Sequence, residues 1–219
     1  EQLRGFLNYV CQTYRPMLPY LNGLHMTIDG FRPNRDAEGY KVPKPSRETD
    51  SKPSPMGPEL PPAPPSRVKA VPRLQADISA LVRLTQAGNP PWRRMRAKKT
   101  ASIYYGFADA SGSAFGGTLQ EAQLSEVHYE FGQWTEEVTE GESSNWREFT
   151  NVVEFLEGKG EQGFLDGAEV FMFTDNSTME SAFWKGTSPS KKLCDLVIRL
   201  RKLEMDTGMI LHVIHVSGR

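Results

Sequence analysis

The stretch Tyr104-Tyr105-Gly106-Phe107-Ala108-Asp109-Ala110-Ser111-Gly112 decides the fold of this chain. An apolar run ends on a single aspartate, and the small residues Ser111 and Gly112 then turn the chain. This pattern predicts a buried β-strand that carries one carboxylate at its exposed end. Taken alone, Asp109 fits an ordinary turn as well as a catalytic site, so the residues that come beside it decide its role.

Apolar runs and helical spacings around this strand predict a compact α/β domain over residues 101–219. Further strands are predicted over 114–120, 127–134, 169–174 and 209–216, and helices over 145–156, 176–184 and 190–206. An acidic loop is predicted over 136–142, before the first of these helices. The order predicts a mixed five-stranded sheet, in which three antiparallel strands precede right-handed crossovers to parallel strands, with helices on its faces.

Three local signals refine these elements. Gly158 and Gly160 predict the end of the helix that starts near Asn145. The spacing of Ser177 and Glu180 indicates a capping box at the start of the next helix. The continuous apolar run within 169–174 predicts a central strand that is covered on both faces.

The chain upstream of this domain divides by composition into three parts. Residues 1–40 form a small helical piece that is too short to bury a good core by itself, so we expect it to pack on something outside the chain. Residues 41–73 hold ten of the sixteen prolines and almost no large apolar residues, which predicts a disordered linker. Residues 74–100 comprise a connecting helix and a basic segment.

Charge and cysteine content narrow the possible functions. The net charge of −1 excludes a polycation, so a nucleic-acid surface needs a local basic cluster. One such cluster, either a solvated loop or a contact for phosphate backbones, contains Arg93, Arg94, Arg96, Lys98 and Lys99. Cys11 and Cys194 form no CxxC pair, which indicates a reduced compartment and no structural zinc. No apolar run approaches the roughly 20 residues of a membrane span and no signal peptide is visible, so we expect an intracellular protein of the cytoplasm or nucleus.

Two more acids stand at the ends of predicted elements. Glu148 lies in the first turn of a helix, and Asp175 follows the fourth strand directly. If the first and fourth strands are parallel neighbours, Asp109 and Asp175 emerge at the edge where ligands gather in open α/β sheets. Carboxylates gathered at one edge persist best around hard divalent cations, Mg²⁺ or Mn²⁺. Two such ions about 4 Å apart would activate a water and stabilise the leaving oxygen of a phosphodiester.

Each acid also has a local structural explanation. Glu148 lies three residues after Asn145 and could complete a capping box, and Asp175 could be an N-terminal cap or a dipole partner for the helix that follows it. His215, near the end of the last strand, could reach the carboxylate edge, whereas His212 is predicted to pack in the core or across strands. The three acids together, in the order β-β-β-α-β, favour a catalytic site where each alone does not.

With these residues in view, residues 101–219 resemble the ribonuclease H domain of retrotransposon and retroviral polyproteins. The four matching pieces are Tyr105-Gly106-Phe107-Ala108-Asp109-Ala110-Ser111, Ser144-Asn145-Trp146-Arg147-Glu148, Phe173-Thr174-Asp175-Asn176-Ser177 and His215-Val216-Ser217-Gly218-Arg219. Residues 1–40 are similar to the thumb or connection region at the end of a retroelement reverse transcriptase. The two pieces that carry this similarity are Arg4-Gly5-Phe6-Leu7-Asn8-Tyr9-Val10 and Pro19-Tyr20-Leu21-Asn22-Gly23-Leu24-His25. The implied partner is thus an upstream reverse transcriptase domain in the same polyprotein.

The resemblance implies four acidic metal ligands, three of which fall on Asp109, Glu148 and Asp175. The fourth lies after the last strand in this family, so we expect the chain to be a fragment whose ribonuclease H-like domain is truncated at its C-terminus. The implied activity is hydrolysis of the RNA strand of RNA–DNA hybrids during reverse transcription. It would use two Mg²⁺ or Mn²⁺ ions, with Asp109 bridging both and the other two acids completing one site each.

The implied nucleic-acid contacts are the basic run Arg93–Lys99 and, around the later helices, Asn176, Ser177, Lys185, Lys191 and Lys192. Contacts to 2′-hydroxyl groups would give the preference for RNA. Two other functions stay open. A binding or spacer module that packs on the polymerase would keep the fold without the chemistry, and a resolvase or integrase core would use the same fold on another substrate.

Overall fold

The computed structural model describes residues 2–42, 63, 65–86 and 102–217 of the chain. Its strands are β1 (Ile103–Ala110), β2 (Ala114–Glu121), β3 (Val127–Gln133), β4 (Glu169–Thr174) and β5 (Ile210–His215). Its helices are α1 (Gln2–Thr13), a 3₁₀ helix (Arg15–Leu21), α2 (Asn22–Asp29), α3 (Leu74–Thr85), α4 (Glu136–Gly141), α5 (Ser144–Glu161), α6 (Ser177–Lys185) and α7 (Lys191–Thr207).

The five strands form one mixed sheet in the order β3-β2-β1-β4-β5. The pairs β1–β2 and β2–β3 are antiparallel, whereas β1–β4 and β4–β5 are parallel. The stretch from Tyr104 to Ala110 is therefore the central strand, with an antiparallel neighbour on one side and a parallel one on the other. This topology confirms the predicted mixed sheet, and the fold is ribonuclease H-like.

One face of the sheet is covered by helices. Burial alternates along β1, where Tyr104, Ala108 and Ala110 point into the core. The helices α5, α6 and α7 supply the opposing apolar side chains, and α5 contacts both β1 and β2. The most deeply buried of these side chains are Phe149, Val152, Leu156, Phe183, Val197 and Leu200.

The other face of the sheet carries aromatic side chains that the described helices leave open. Tyr105 and Phe107 of β1 are 43% and 54% exposed, and Tyr129 and Phe131 of β3 are 68% and 80% exposed. Phe107 stacks on Phe173 of β4 with ring centres 4.9 Å apart. The prediction that β4 is covered on both faces is therefore wrong for the part of the chain that the structure describes.

Two predicted boundaries differ in the structure. The acidic segment expected to be a loop forms the short helix α4, with Glu136 and Glu137 in its first turn, where acidic side chains are favourable. Helix α5 continues past Gly158 and Gly160 to Glu161. A Cβ at Gly160 would lie 2.9 Å from Leu203 of α7, so this glycine permits close helix packing and does not end the helix.

An ion pair with β3 also fixes the last turns of α5. The ammonium of Lys159, which is 5% exposed, lies 2.8 Å from Glu130 of β3. A buried ammonium needs such a partner, and the partner is available only if the helix extends this far. Tertiary contacts therefore override the tendency of Gly158 and Gly160 to end the helix. A local sequence pattern does not contain these contacts.

The N-terminal segment packs on the sheet domain. Cys11, Met17, Leu21 and the α3 residue Leu84 form a second buried cluster, against which Ile198 and Met205 of α7 pack. Because α3 and α7 provide this contact, the segment finds a partner within the chain, contrary to the expectation that it packs on something outside. The Arg83 guanidinium also lies 2.7 Å from the Asp206 carboxylate of α7.

Several predictions fall outside the described residues. These include the basic run Arg93–Lys99, most of the predicted linker and the last two residues of the final matching piece. The end of the predicted linker is described, and there the Val71 amide donates a hydrogen bond of 3.2 Å to the hydroxyl of Thr27. In the part of the chain that is described, no helix is both long enough and apolar enough to cross a membrane.

Candidate active site

Asp109 and Asp175 come at the carboxyl ends of two adjacent parallel strands. Phe107 of β1 pairs with Phe173 of β4, two residues before each aspartate, and Asp175 follows directly after the end of β4. Both aspartate side chains are exposed. The prediction that β1 and β4 are parallel neighbours is confirmed, and this edge is where ligands bind in open α/β sheets.

A buried asparagine of α5 holds the end of β1 in place. Asn151 is 3% exposed, and its side-chain amide donates hydrogen bonds of 2.8 Å to the carbonyls of Asp109 and Gly116. These bonds tie the helix to the β1–β2 pair at the position of the aspartate. Asn151 was not predicted as a site residue, although an asparagine next to Val152 and Val153 on the apolar stripe was a usable signal.

A second buried asparagine fixes the first turn of α5. Asn176 is 4% exposed, its Oδ1 accepts a hydrogen bond of 2.9 Å from the Met179 amide, and its Nδ2 donates one of 3.3 Å to the Asn145 carbonyl. Asn176 is thus the N-cap of α6, and the predicted capping box starting at Ser177 is wrong. The sequence predicts a nucleic-acid contact for Asn176, whereas both of its side-chain polar atoms are bound within the chain.

Glu148 lies between these two anchor points. It follows Asn145 by three residues and precedes Asn151 by three, and it is partly exposed. One anchor leads to the Asp109 carbonyl and the other to Asn176, the residue after Asp175. The structure therefore fixes the stretch of α5 that carries Glu148 at both of its ends.

The capping roles predicted for Glu148 and Asp175 are wrong. The N-cap of α5 is Ser143, whose hydroxyl accepts a hydrogen bond of 3.3 Å from the Trp146 amide, so Glu148 is not the partner of an Asn145 cap. Its carboxylate instead accepts a hydrogen bond of 2.6 Å from the Ser144 hydroxyl. The N-cap of α6 is Asn176, so Asp175 is not that cap. The Asp109 carboxylate accepts a hydrogen bond of 2.7 Å from the Ala110 amide.

The donor set suits a hard divalent cation in its chemistry, because carboxylate oxygens are the ligands that Mg²⁺ and Mn²⁺ prefer. Within the described ranges, however, no three side chains among histidine, cysteine, aspartate and glutamate form a ready-made metal site. One oxygen of the Asp109 carboxylate and one of the Glu148 carboxylate each accept a hydrogen bond from a residue of their own segment, which leaves the other oxygen of each carboxylate without a hydrogen bond from a described residue.

The two histidines of β5 separate as the alternation of a strand requires. His215 lies at the carboxylate edge, where its Nε2 is 3.2 Å from the Asp175 carbonyl. Since a carbonyl oxygen only accepts, Nε2 carries the proton in this contact. His212 packs across strands, with its ring 4.6 Å from that of Phe171 and its Nε2 2.8 Å from a Glu169 carboxylate oxygen.

The described lysines among the predicted nucleic-acid contacts differ in their surroundings. Lys191 forms an ion pair with Glu38, and Lys192 lies 2.6 Å from Glu142. Lys185 ends α6 and is exposed. Its side chain lines a cleft of about 310 Å³ whose other polar side chains are Ser177, Thr178, Ser181, Thr187 and Ser188. Four of these hydroxyl residues were not predicted, because single serines and threonines carry no spacing signal.

Comparison with known proteins gives a likeness of fold only. No protein-family model and no curated protein matches the chain. Ribonuclease H1 from the archaeon Halobacterium salinarum is 16% identical, with 54% of this chain and 87% of that chain covered and a TM-score of 0.43. The N-terminal ribonuclease H domain of a Mycobacterium tuberculosis protein is also 16% identical, with coverage of 54% and 84% and a TM-score of 0.41.

A foamy viral protease–reverse transcriptase solved with double-stranded DNA is a further structural neighbour. It is 15% identical, with 67% of this chain but only 29% of that chain covered and a TM-score of 0.40. The strand order β3-β2-β1-β4-β5 gives the chain a ribonuclease H-like mixed α/β fold. The neighbours include isolated ribonuclease H1 domains as well as a reverse transcriptase.

Proposed function

We propose that this chain carries the ribonuclease H-type nuclease domain of a retroelement polyprotein, which cuts the RNA strand of RNA–DNA hybrids. The observation that supports the proposal is the parallel pairing of β1 with β4, in which Phe107 and Phe173 pair two residues before Asp109 and Asp175. Helix α5, which bears Glu148, bonds through Asn151 to the Asp109 carbonyl and through the Asn145 carbonyl to Asn176, the residue after Asp175. Such a function would take place inside cells, in the cytoplasm or nucleus, beside an upstream reverse transcriptase domain.

In this proposal the acidic residues would bind metal ions, and Asn151 would position one of them. Asp109, Glu148 and Asp175 would hold the divalent ions. When bound, the ions supply the activation of water and the stabilisation of the leaving oxygen. Asn151 keeps the backbone of Asp109 in place, and His215 could move a proton at its Nδ1, since its Nε2 is bonded to the Asp175 carbonyl.

Substrate contacts would lie next to these acids. Ser177 opens α6 two residues after Asp175, and the hydroxyl-lined cleft leads from there to Lys185. Hydroxyls and an ammonium are groups that bind the phosphates and sugars of nucleic acids. Lys191 and Lys192 would have to exchange their acidic partners for phosphates in order to take part.

The test is cleavage of a labelled RNA–DNA hybrid in Mg²⁺ or Mn²⁺, with single-stranded RNA and double-stranded DNA as substrate controls. Asp109→Asn, Glu148→Gln and Asp175→Asn should each lower the cleavage rate by about a hundredfold or more. Asp166→Asn, an exposed acid before the start of β4, is the matched control and should leave the rate unchanged. Cleavage that persists in Asp109→Asn would contradict the proposed role of that residue.

A second function is a binding or spacer module without catalysis. It is favoured by the observation that the described residues contain no ready-made metal group. The same assay distinguishes the two functions. A protein that binds the hybrid with the same affinity in Mg²⁺ and in EDTA, and cuts it in neither, is a binding module.

A further inference from the structure

The loop between α6 and α7 carries a serine that is followed by a proline. Its sequence is Thr187-Ser188-Pro189-Ser190, and α7 then begins at Lys191. Proline-directed kinases bind such a proline, which has no backbone N–H, in an apolar pocket, and many of them favour a basic residue at the third position after the serine. Ser188 meets both conditions, because Lys191 occupies that third position. The other Ser-Pro pair of the chain, Ser54-Pro55, has Gly57 there instead.

The loop can be reached by another protein. Thr187, Pro189 and Ser190 are exposed, and Ser188 is half-buried. Within the described part of the chain, the backbone N–H and C=O of Ser188 bond only to the Cys194 thiol, at 3.1 Å each. A thiol is a weak donor and a weak acceptor, so a kinase could draw this segment into its own substrate groove at small cost.

The lysine that a kinase would recognise also lies on the surface. The Lys191 side chain is 51% exposed and pairs with Glu38, whose side chain is 45% exposed. Ion pairs this exposed contribute little to stability, because water screens them and two long side chains must be held in one geometry. Lys191 can therefore exchange Glu38 for an acidic group of a kinase.

Ser188 also lines the hydroxyl-lined cleft of about 310 Å³. The α6 residues that line the cleft with it supply three hydroxyls and one ammonium, from Ser177, Thr178, Ser181 and Lys185. No carboxylate is among the described side chains that line this cleft. Hydroxyls and an ammonium are groups that bind a phosphoryl dianion. The surroundings of Ser188 therefore suit a phosphoserine.

The start of α7 offers a further partner for a phosphoryl group. Ser190 is the N-cap of α7, but its side chain makes no capping hydrogen bond. Its backbone amide donates a hydrogen bond of 3.2 Å to the Ser188 hydroxyl. Charged phosphoryl oxygens would accept this bond more strongly than a hydroxyl does, and the first turn of a helix favours negative charge.

We propose that Ser188 is a phosphorylation site for a proline-directed kinase, and that the phosphorylated cleft no longer binds nucleic acid. The Ser188 hydroxyl oxygen would attack the γ-phosphorus of ATP, and the bond from this phosphorus to ADP would break. ADP would leave with the bonding electrons, and the hydroxyl proton would pass to a base of the kinase. The dianion would then take the place of a substrate phosphate beside Lys185. This second part rests on the proposed function, which assigns substrate contacts to the cleft.

The modification is tested on the full chain with a cyclin-dependent kinase and Mg²⁺-ATP, and the modified residue is located by mass spectrometry of peptides. Wild type should take up one phosphoryl group, on Ser188, and Ser188→Ala should take up none there. Pro189→Ala and Lys191→Ala should each lower the rate of incorporation by about tenfold, because each removes one contact with the kinase. Ser54→Ala, which removes the other Ser-Pro pair, is the matched control and should leave the rate unchanged.

The effect on the cleft is measured with the phosphorylated protein. Amide chemical shifts of Ser177 and Thr178, on the α6 side of the cleft, should change on phosphorylation of the ¹⁵N-labelled protein. The KM for cleavage of the RNA–DNA hybrid should rise by about tenfold with little change in kcat, because the added charge repels the substrate backbone away from the acids. The KM of Ser188→Ala should be the same before and after kinase treatment.

The proposal is overturned if the kinase modifies another residue in place of Ser188, if the two amide shifts stay unchanged, or if phosphorylation leaves KM unchanged. A wild type that cuts no hybrid would contradict the proposed function instead. In that case, phosphate on Ser188 with shifted amides of Ser177 and Thr178 would still support the modification site.

Discussion

The side-chain amide of Asn151 donates a hydrogen bond of 2.8 Å to the carbonyl of Asp109, and so links the core helix α5 directly to the candidate site. A second bond of the same length reaches Gly116 on the neighbouring strand. Asn151→Leu keeps the approximate size but leaves both carbonyls without their partner. It should lower the free energy of unfolding by about 2–3 kcal/mol, measured by urea denaturation.

Asn8→Ala on the exposed side of α1 is the control for this change, since it removes an asparagine that contacts no core. It should alter the free energy of unfolding by less than about 0.5 kcal/mol. If Asn151→Leu were equally harmless, the hydrogen bonds between α5 and the β1–β2 pair would not hold the site.

The proposed metal site at Asp109 and Asp175, two residues beyond the paired Phe107 and Phe173, predicts a stability change that does not depend on catalysis. In EDTA, Asp109→Asn should raise the free energy of unfolding by up to about 1 kcal/mol, because it relieves repulsion between two carboxylates on adjacent strands. In Mg²⁺ at ten times the dissociation constant, wild type should gain about 1.4 kcal/mol and the variant much less. Thermal unfolding with and without the ion measures both effects. An equal gain in the two proteins would show that the ion binds elsewhere.

Gly117 tests how closely α5 approaches the sheet. A Cβ at this position would lie 2.9 Å from the ring of Phe155, which is 3% exposed and held within the core. Gly117→Ala should therefore destabilise the protein by about 1–3 kcal/mol through overpacking. Gly112→Ala is the matched control, since nothing lies within 4 Å of its added carbon. Chemical denaturation of the two variants separates close packing from a general effect of replacing glycine.

The sheet could be predicted because each strand is marked by a short stretch of the sequence. The apolar run from Val170 to Phe173 identifies a strand, and the order of the elements around it restricts the sheet to few arrangements. The placement of Asp109 and Asp175 at one edge then follows, since parallel strands present their carboxyl ends together. For this reason the sequence alone predicts that the two acids lie at a single edge.

The remaining features depend on contacts between distant parts of the chain. Gly160 predicts a helix end when the local sequence is considered alone, but the close packing of Leu203 of α7 explains why a glycine lies there. The role of Asn151 depends on hydrogen bonds to carbonyls that are 42 and 35 residues away in the sequence. The open aromatic face was missed for a similar reason. The apolar run within β4 looks the same whether one or both of its faces are covered.

The exposed rings of β3 should bind hydrophobic dyes in the native state. Tyr129 and Phe131 stack with ring centres 6.4 Å apart on the open face of the sheet. The fluorescence of 1-anilinonaphthalene-8-sulfonate should rise on mixing with folded wild type and fall in Phe131→Ser. The free energy of unfolding should change by less than about 0.5 kcal/mol, because the side chain is 80% exposed. Unchanged dye binding in this variant would mean that the ring is covered in solution.

Asp206 should make the contact between α3 and α7 sensitive to acid. Burial acts to raise the pKa of its carboxyl, but hydrogen bonds from Lys202 and Arg83 outweigh burial and hold the pKa below its ordinary value. The unfolded chain therefore takes up this proton at a higher pH than the folded one. The contribution is complete above the ordinary pKa of about 4 and is lost as the pH falls through the lower, folded value.

Because Asp206 is partly exposed, solvent screening limits this contribution to about 0.5 kcal/mol for each ion pair. The ordinary aspartate pKa lies within the range from about pH 5 to about pH 3. When the pH is lowered across this range, urea denaturation should show a smaller loss of stability in Asp206→Asn than in wild type. High salt should reduce the difference, since it screens the two ion pairs. An identical acid response in both proteins would show that other carboxylates dominate the titration.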